Sequence, residues 1–298
     1  MSGGGTARSA AERCAAVFRD AGHDPTLAAW NTGGPGAAEL ARLAAEGGAD
    51  RLVAIGGDGT ALDVAAGVLA TSRPVAMAHL PCGTANVLAL NLGIPRTLEG
   101  AIAAAVHGVE ARMDVGLVKD SSTGAEEPFL LTVGTGLHAD VIARADRQAK
   151  RRWGMAAYVW AGWSTLASPA PARYRVTVDG ATDEMEATMV QVVNCGAFLR
   201  PGWTIGPGIT PVDGRLDVLV YRARSRWEYA RVAARFLQGA PTRTALVQHL
   251  WGERIRLETD ARVGIQRDGE PAGTLPAEFS VHPRALPVVV PARSPLAA

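Results

Sequence analysis

The sequence predicts an α/β unit built on a parallel sheet over residues 1–110, followed by a mainly β unit over 111–298. Three observations predict it. Short apolar runs alternate with alanine-rich amphipathic stretches as far as Val106, the pattern of strands and helices around a doubly covered sheet. From Glu110 onward the pattern becomes many strands separated by Gly, Asp and Pro, as a sandwich or barrel needs. And Leu52–Thr60 reads as a buried strand, a glycine-rich turn and a helix start, the place where open α/β sheets bind ligands.

Taken in order, Thr6 to Ala21 predicts a helix stopped at Gly22. Leu27 to Trp30 predicts a short strand. Pro35 opens a second helix that ends at Gly47-Gly48. Leu52 to Ile55 is the central strand, and Thr60 is placed to cap the helix after it. Pro74 to Leu80 is a further strand. It runs into Pro81-Cys82-Gly83-Thr84-Ala85-Asn86 and a helix that ends before Pro95. A last helix covers Leu98 to Val106. In the second unit, strands are expected at 111–118, 128–135, 174–178, 187–194, 216–221, 254–259, 263–267 and 278–282. Helices are expected over Ala139 to Leu166, broken near Gly154, and over Ser225 to Leu237. No linker separates the units, so a cleft between packed domains is expected.

The turn Gly56-Gly57-Asp58-Gly59-Thr60 carries the chemistry. Backbone N–H groups at a helix start, together with the helix dipole, favour a bound anion. Glycine lets a phosphate approach without meeting a Cβ. No Gly-Lys-Ser/Thr comes after it, so this is not a P-loop, and Leu62 spoils a dinucleotide fingerprint. Asp58 separates it from both. A carboxylate beside phosphates is repulsive unless a divalent cation or a proton relay intervenes, which points to a nucleotide with Mg²⁺. A plain strand-to-helix turn is the alternative.

The 298 residues suffice for two domains. A net charge of +1 argues against bulk nucleic-acid binding. Cys14, Cys82 and Cys195 are too few and too far apart for a disulfide framework or zinc site, which fits a reducing cytoplasm. The six histidines show no metal-binding pair at helical spacing. The N-terminus lacks a signal-peptide core, and the longest apolar run, Met155 to Ala167, is too short to span a bilayer. A soluble or peripheral protein is expected.

Four segments then carry a resemblance: GGDGT at 56–60, LPCGTANVLALNLGIP at 80–95, GPGITPVDGRLDVLV at 206–220 and DGE at 268–270. In this order they resemble the diacylglycerol kinase catalytic-domain family, the soluble bacterial lipid kinases related to sphingosine kinases. The resemblance implies a phosphofructokinase-like nucleotide domain followed by a β-sandwich domain, with the active site between them. It implies an ATP- and Mg²⁺-dependent kinase acting on a lipid at a membrane surface, and it leaves a homodimer open. Thr32, Gly56, Gly57, Asp58, Gly59, Thr60, Thr84 and Asn86 fall in the nucleotide-contacting segments. Asp58 matches the acid of the Mg²⁺ and phosphate network, and Glu270 the general base. Asp213, with the carbonyls at Thr210 and Arg215, matches a second Mg²⁺ site. Alone, Glu270 reads as a turn acid and Asp213-Gly214 as a turn.

Three departures lower the expected catalytic efficiency. Family members usually begin with a strand and an Asn-Pro-x-Ser-Gly loop, whereas this sequence opens at Met1-Ser2-Gly3-Gly4-Gly5, which predicts an exposed sheet edge. Val87 stands where an acid is common, and Leu62-Asp63 where Asn-Glu is common. A degenerate, non-catalytic lipid- or nucleotide-binding protein and a kinase of a soluble acceptor such as NAD are the competing readings. Finally, Arg144, Arg147, Lys150, Arg151 and Arg152 precede Trp153, Trp160 and Trp163. A membrane-surface segment is one reading of that cluster, and core tryptophans beside a solvated face the other.

Overall fold

The computed structural model describes residues 4–29, 34–73, 75–120, 124–136, 171–198, 200, 202–238, 242 and 244–297. The chain forms two compact units. One extends to Met113 and resumes at Arg284; the other is Asp114–Pro283.

In the first unit, β1 (Arg51–Gly56) pairs in parallel with β2 (Ala76–Pro81), from Arg51↔Ala76 to Gly56↔Pro81. Around them lie α1 (Gly4–Asp20), α2 (Ala37–Glu46), α3 (Asp58–Leu69), α4 (Val87–Asn91) and α5 (Leu98–His107). Small residues let α2 and α3 pack closely. A Cβ on Gly67 of α3 would lie 2.2 Å from the Ala38 carbonyl oxygen and 2.7 Å from Ala41 Cβ. The helix α1 ends as expected: Gly22 takes φ +85, a left-handed conformation that glycine adopts without penalty.

Two expectations for this unit fail. Leu27, Ala28 and Ala29 form no strand, and Leu27 is 51% exposed, so it lacks the burial that holds a strand in such a sheet. Trp30 lies outside the described residues. Thr60 does not cap α3: the helix starts at Asp58 with Gly57 as N-cap, and Thr60 packs on Gly56 instead.

The C-terminal boundary also moves. The sequence assigned everything after residue 110 to the second domain, but the segment from Arg284 belongs to the first. Strand β14 (Ala277–Val290) changes unit at Arg284, which has φ +50, and its end pairs with β2 in parallel through Val288↔Met77. Leu286, Val288, Val289 and Val290 are buried there.

In the second unit, one sheet is built from β5 (Thr132–Thr135), β8 (Met189–Val193), β9 (Leu216–Tyr221), β10 (Val247–Gly252), β12 (Gly264–Arg267) and β13 (Glu270–Thr274). It runs in the order β10-β9-β8-β5-β12-β13 with every pair antiparallel. Facing it are β6 (Ala172–Val178), β7 (Ala181–Ala187), β11 (Arg254–Thr259) and the start of β14, with the hairpin of β3 (Val109–Asp120) and β4 (Glu126–Phe129). Alternate residues from both sheets fill one core, with Tyr174 and Val176 from β6, Ile255 and Leu257 from β11, and Leu216, Val218 and Val220 from β9. The sandwich that the sequence predicts is therefore present. Leu219 and Tyr221 of β9 point to the other face, where Val232 of α6 (Arg226–Leu237) covers them. Both faces of β9 are buried, so it reads as a continuous apolar run.

The strands β7, β10 and β13 were not foreseen. β13 contains Pro271 and Gly273, which usually argue against a strand, and survives as the edge of its sheet. The single strand expected at 128–135 is two, interrupted at Leu130 and Leu131. The helix expected over 139–166, its basic and tryptophan residues, and Thr32 lie outside the described residues.

Candidate active site

The strand β1 delivers its chain to Gly56-Gly57 and straight into α3. The strand β2 delivers its chain to the loop Cys82–Asn86 and α4. Because the strands are parallel and adjacent, the two loops leave the same end of the sheet. They touch: a Cβ on Gly83 would lie 2.6 Å from Gly57 Cα. The Cys82 N–H donates to the Gly56 carbonyl at 2.8 Å. Asn86, at φ +50, closes its own loop by accepting from Gly83 N–H and donating to the Gly83 carbonyl, both at 2.9 Å.

Asp58 joins the loops. Its Oδ2 accepts from Val87 N–H at 3.0 Å and its Oδ1 from Leu88 N–H at 2.9 Å. These are two of the orphan donors at the start of α4. The carboxylate thus has a protein-based source of stabilisation, and a metal is not the sole electrostatic reason for an acid at this position. Behind the loops His79 is buried, with Nε2 3.3 Å from the Gly56 carbonyl. Burial holds its pKa below the usual value, so the imidazole is neutral.

Each glycine of the first loop has its own reason. A Cβ on Gly56 would lie 2.5 Å from Thr60 Oγ1, and one on Gly57 would press on Gly83 at 3.3 Å. Among the described residues, a Cβ on Gly59 would meet nothing within 4 Å. Gly59, Gly83 and Thr84 are exposed at this end of the unit.

In the second unit, Glu270 is the exposed first residue of β13, opposite Arg267 of β12. The turn between them is pinned by Asp268. Its carboxylate accepts N–H bonds from Leu130, Leu131 and Thr132 at 2.8, 3.0 and 2.8 Å. Its own N–H donates to the Thr132 carbonyl at 2.9 Å. The residue keeps part of its surface in solvent, yet desolvation pushes its carboxyl up to about 6, against amide bonds that favour the charged form.

Asn194 continues the network. It is buried and donates through Nδ2 to the carbonyls of Leu130 at 2.9 Å and Asp114 at 3.0 Å. Asp114 in turn holds the 206–215 loop. Its N–H donates to the Pro211 carbonyl and its Oδ2 accepts from Gly214 N–H, both at 2.7 Å. Asp213 is exposed beside that contact and accepts from Arg215 N–H at 3.1 Å. Its carboxyl is pushed up, chiefly by desolvation and further by Asp217 and Asp114, against the Arg215 N–H bond and the Arg215 charge, which favour the ionised form. Among the described residues no three His, Cys, Asp or Glu side chains converge as a metal cluster. The Arg215 guanidinium lies 4.1 Å over the Trp251 ring. Thr210 is half-buried in the same loop.

Comparison with known proteins settles the family. The diacylglycerol kinase catalytic domain matches residues 1–118, and the YegS C-terminal NAD kinase beta sandwich-like domain matches residues 131–290. The chain belongs to the diacylglycerol kinase family. A diacylglycerol kinase of Mycobacterium tuberculosis is 31% identical over 252 residues, covering 82% of this chain and 78% of that protein. An uncharacterized protein of Synechocystis sp. is 31% identical over 245 residues, and there the match spans 80% of this chain but 54% of the relative. The crystal structure of a diacylglycerol kinase from Bacillus anthracis shares the fold, with a TM-score of 0.64 over 87% of this chain and 82% of that one at 18% identity. The two glycine turns that carry the resemblance in the sequence are the ones that geometry brings together here. Sequence reasoning missed Asp114 and Asn194 and gave Asp268 of the DGE segment no role of its own, because the partners of all three lie far away along the chain.

Proposed function

We propose that this protein is an ATP-dependent lipid kinase that moves the γ-phosphate of ATP to the hydroxyl of a diacylglycerol-like lipid. The observation that carries the reading is the pair of locked glycine loops at one end of the α/β sheet. The first-turn N–H groups of α3 at Asp58, Gly59 and Thr60 have no acceptor within the helix. They suit the phosphates of a nucleotide. Gly59 supports this further. Glycine inside a helix costs about 1 kcal/mol relative to alanine, and among the described residues no atom near Gly59 requires it. Room for a phosphate does. Gly56, Gly57, Thr84 and Asn86 shape the cradle, and Thr32 is assigned to the nucleotide by family resemblance.

Glu270 is proposed as the general base. It takes the lipid hydroxyl proton as the oxygen attacks the γ-phosphorus, and the bond from that phosphorus to the ADP oxygen breaks. ADP and the phosphorylated lipid leave. Asp268 holds the turn that presents Glu270. Asp58 holds the nucleotide loops together.

Mg²⁺ would supply charge neutralisation at the phosphates. Asp213, an exposed carboxylate, fits a second hard cation together with the carbonyls of Thr210 and Arg215. Asp213→Ala is expected to erase the Mg²⁺-dependent rise in Tm, since a cation that binds only the folded state stabilises it by mass action.

Labelled ATP incubated with purified protein and a panel of diacylglycerol, other lipid alcohols and NAD tests the reading. Label in the diacylglycerol product supports it. Label in NAD, or in no acceptor, overturns it in favour of a soluble-acceptor kinase or a binding protein.

A further inference from the structure

The helix α6 has two unlike faces. Tyr229, Val232 and Phe236 turn inward. Tyr229 is tied by its hydroxyl to Thr188, which also donates to the Ala223 carbonyl at 3.0 Å. Phe236 packs edge-on against Trp203 and Phe198, at 5.6 and 6.0 Å between ring centroids. The helix is therefore a fixed platform.

At about 100° per residue, the direction opposite that inward stripe falls on Trp227 and Ala234. Trp227 is 72% exposed, the largest exposure among the bulky apolar side chains described. Arg226, Arg231 and Arg235 flank it and are exposed. None of the three is ion-paired among the described residues. The only acid of the helix is Glu228, and it is committed to the N-terminal cap. Its N–H donates to Ser225 Oγ at 3.3 Å and its Oε2 accepts from Arg224 N–H at 2.6 Å. Arg222 and Arg224 extend the basic surface just before the helix, the latter paired with Glu186.

We infer that the outer face of α6 docks on an anionic phospholipid surface, with Trp227 in the headgroup layer and Arg226, Arg231 and Arg235 against lipid phosphates. An indole ringed by arginines matches the two chemistries of that boundary, apolar just below it and negative at it. A second copy of the chain fits worse, since a two-fold contact would bring like arginine faces together. Among the described residues no helix is long and apolar enough to cross a membrane, so docking is peripheral. The inference rests on the lipid-kinase reading for its purpose: a long-chain diacylglycerol must be met at a bilayer.

The test is co-sedimentation of the full chain with vesicles of phosphatidylcholine alone, or of phosphatidylcholine with phosphatidylglycerol. Wild type is expected to bind the anionic vesicles and to be released by salt. Removing a basic residue near such a surface costs about fivefold in partition. Arg231→Ala with Arg235→Ala should therefore weaken binding at least tenfold, and Trp227→Ala should weaken it separately. None of these side chains supports the core, so Tm should stay within about 1 °C of wild type. Partition unchanged in the variants overturns the inference, as does equal binding to neutral vesicles. So does a shift in gel-filtration volume with vesicle binding intact, which would mean that the face meets another copy. Activity is read in parallel on a short-chain, water-soluble diacylglycerol. The α6 variants should lose activity on vesicle substrate and keep it on the soluble one. If wild type phosphorylates neither, the kinase reading fails, and vesicle partition still decides the role of α6.

Discussion

Asp58 in the first unit and Asp268 in the second stand in nearly the same local sequence, an acid followed by glycine after a strand. In both, the carboxylate turns inward onto backbone N–H groups of a distant segment. Asp58 receives two, at the start of a helix. Asp268 receives three, at a break between strands. The two differ in the residues next along the chain. After Asp58 come the open N–H groups of α3, so the tether and the proposed anion cradle are one structure. After Asp268 comes Gly269 and then Glu270, exposed at the head of β13, so the tether and the proposed base are separate residues. A motif acid is thus not by default a ligand or a base; its partners decide.

The largest effect expected from that division is on Glu270. Glu270→Gln should cut kcat by roughly 10²–10⁴-fold, the usual cost of a lost general base, with ATP affinity and Tm nearly unchanged. Steady-state kinetics beside titration with a non-hydrolysable ATP analogue checks it. Weakened nucleotide binding with a small kcat loss would merge the two roles again.

Asp58→Ala should both destabilise the first unit and abolish turnover. Two amide donors lose their acceptor, and a partly buried donor left unpaired costs about 1–3 kcal/mol. Chemical denaturation measures that cost. A variant as stable as wild type but inactive would return Asp58 to a purely metal-linked role.

The glycines separate packing from ligand space. Gly83→Ala should lower Tm, because its Cβ meets the Gly57 backbone at 2.6 Å. Gly59→Ala should leave folding stability equal or higher, by up to about 1 kcal/mol of helix propensity, while weakening ATP binding. Thermal melts with and without nucleotide distinguish them. Loss of stability in Gly59→Ala would remove the case for a phosphate there.

The smallest effect is in pH dependence. Asp268 has a folded-state pKa raised from 3.8 to about 6. The folded protein then holds a proton that the unfolded chain releases, so this contribution is full below 3.8 and is lost as pH rises through about 6. Asp268→Asn cannot titrate. The stability margin of wild type over that variant should therefore widen as pH falls from 6 to 4. A margin that narrows would mean the three amide bonds outweigh desolvation.

Much of this was legible in the sequence. Apolar runs with glycine turns located β1, β2 and their loops; β2 is buried along nearly its whole length and leaves an unbroken signal, and β1 is half-buried but carries the apolar run Leu52–Ile55. Apolar positions at helical spacing announced α6. The tethers were not legible. Asp268 meets Leu130 across 138 positions and Asn194 meets Asp114 across 80, so no local pattern records either contact. β13 was hidden by Pro271 and Gly273, tolerated because an edge strand leaves one side of its backbone unpaired. The last part of β14 was hidden by Pro287 within an apolar run.

That last strand has a consequence for synthesis. Met77 of β2 finds Val288 beside it only after roughly 200 further residues have been made, at about 5–20 per second during translation. Ser294, whose hydroxyl donates to the Leu92 carbonyl at 2.8 Å, comes later still. On the ribosome, the nucleotide-type unit therefore begins first and finishes last. For on the order of 10–40 s a mostly apolar strand edge of β2 waits for its neighbour, while residues 114–283 already hold every strand of their antiparallel sheet. A nascent chain stalled near residue 283 should bind a holdase chaperone through β2, and release should come with the final residues.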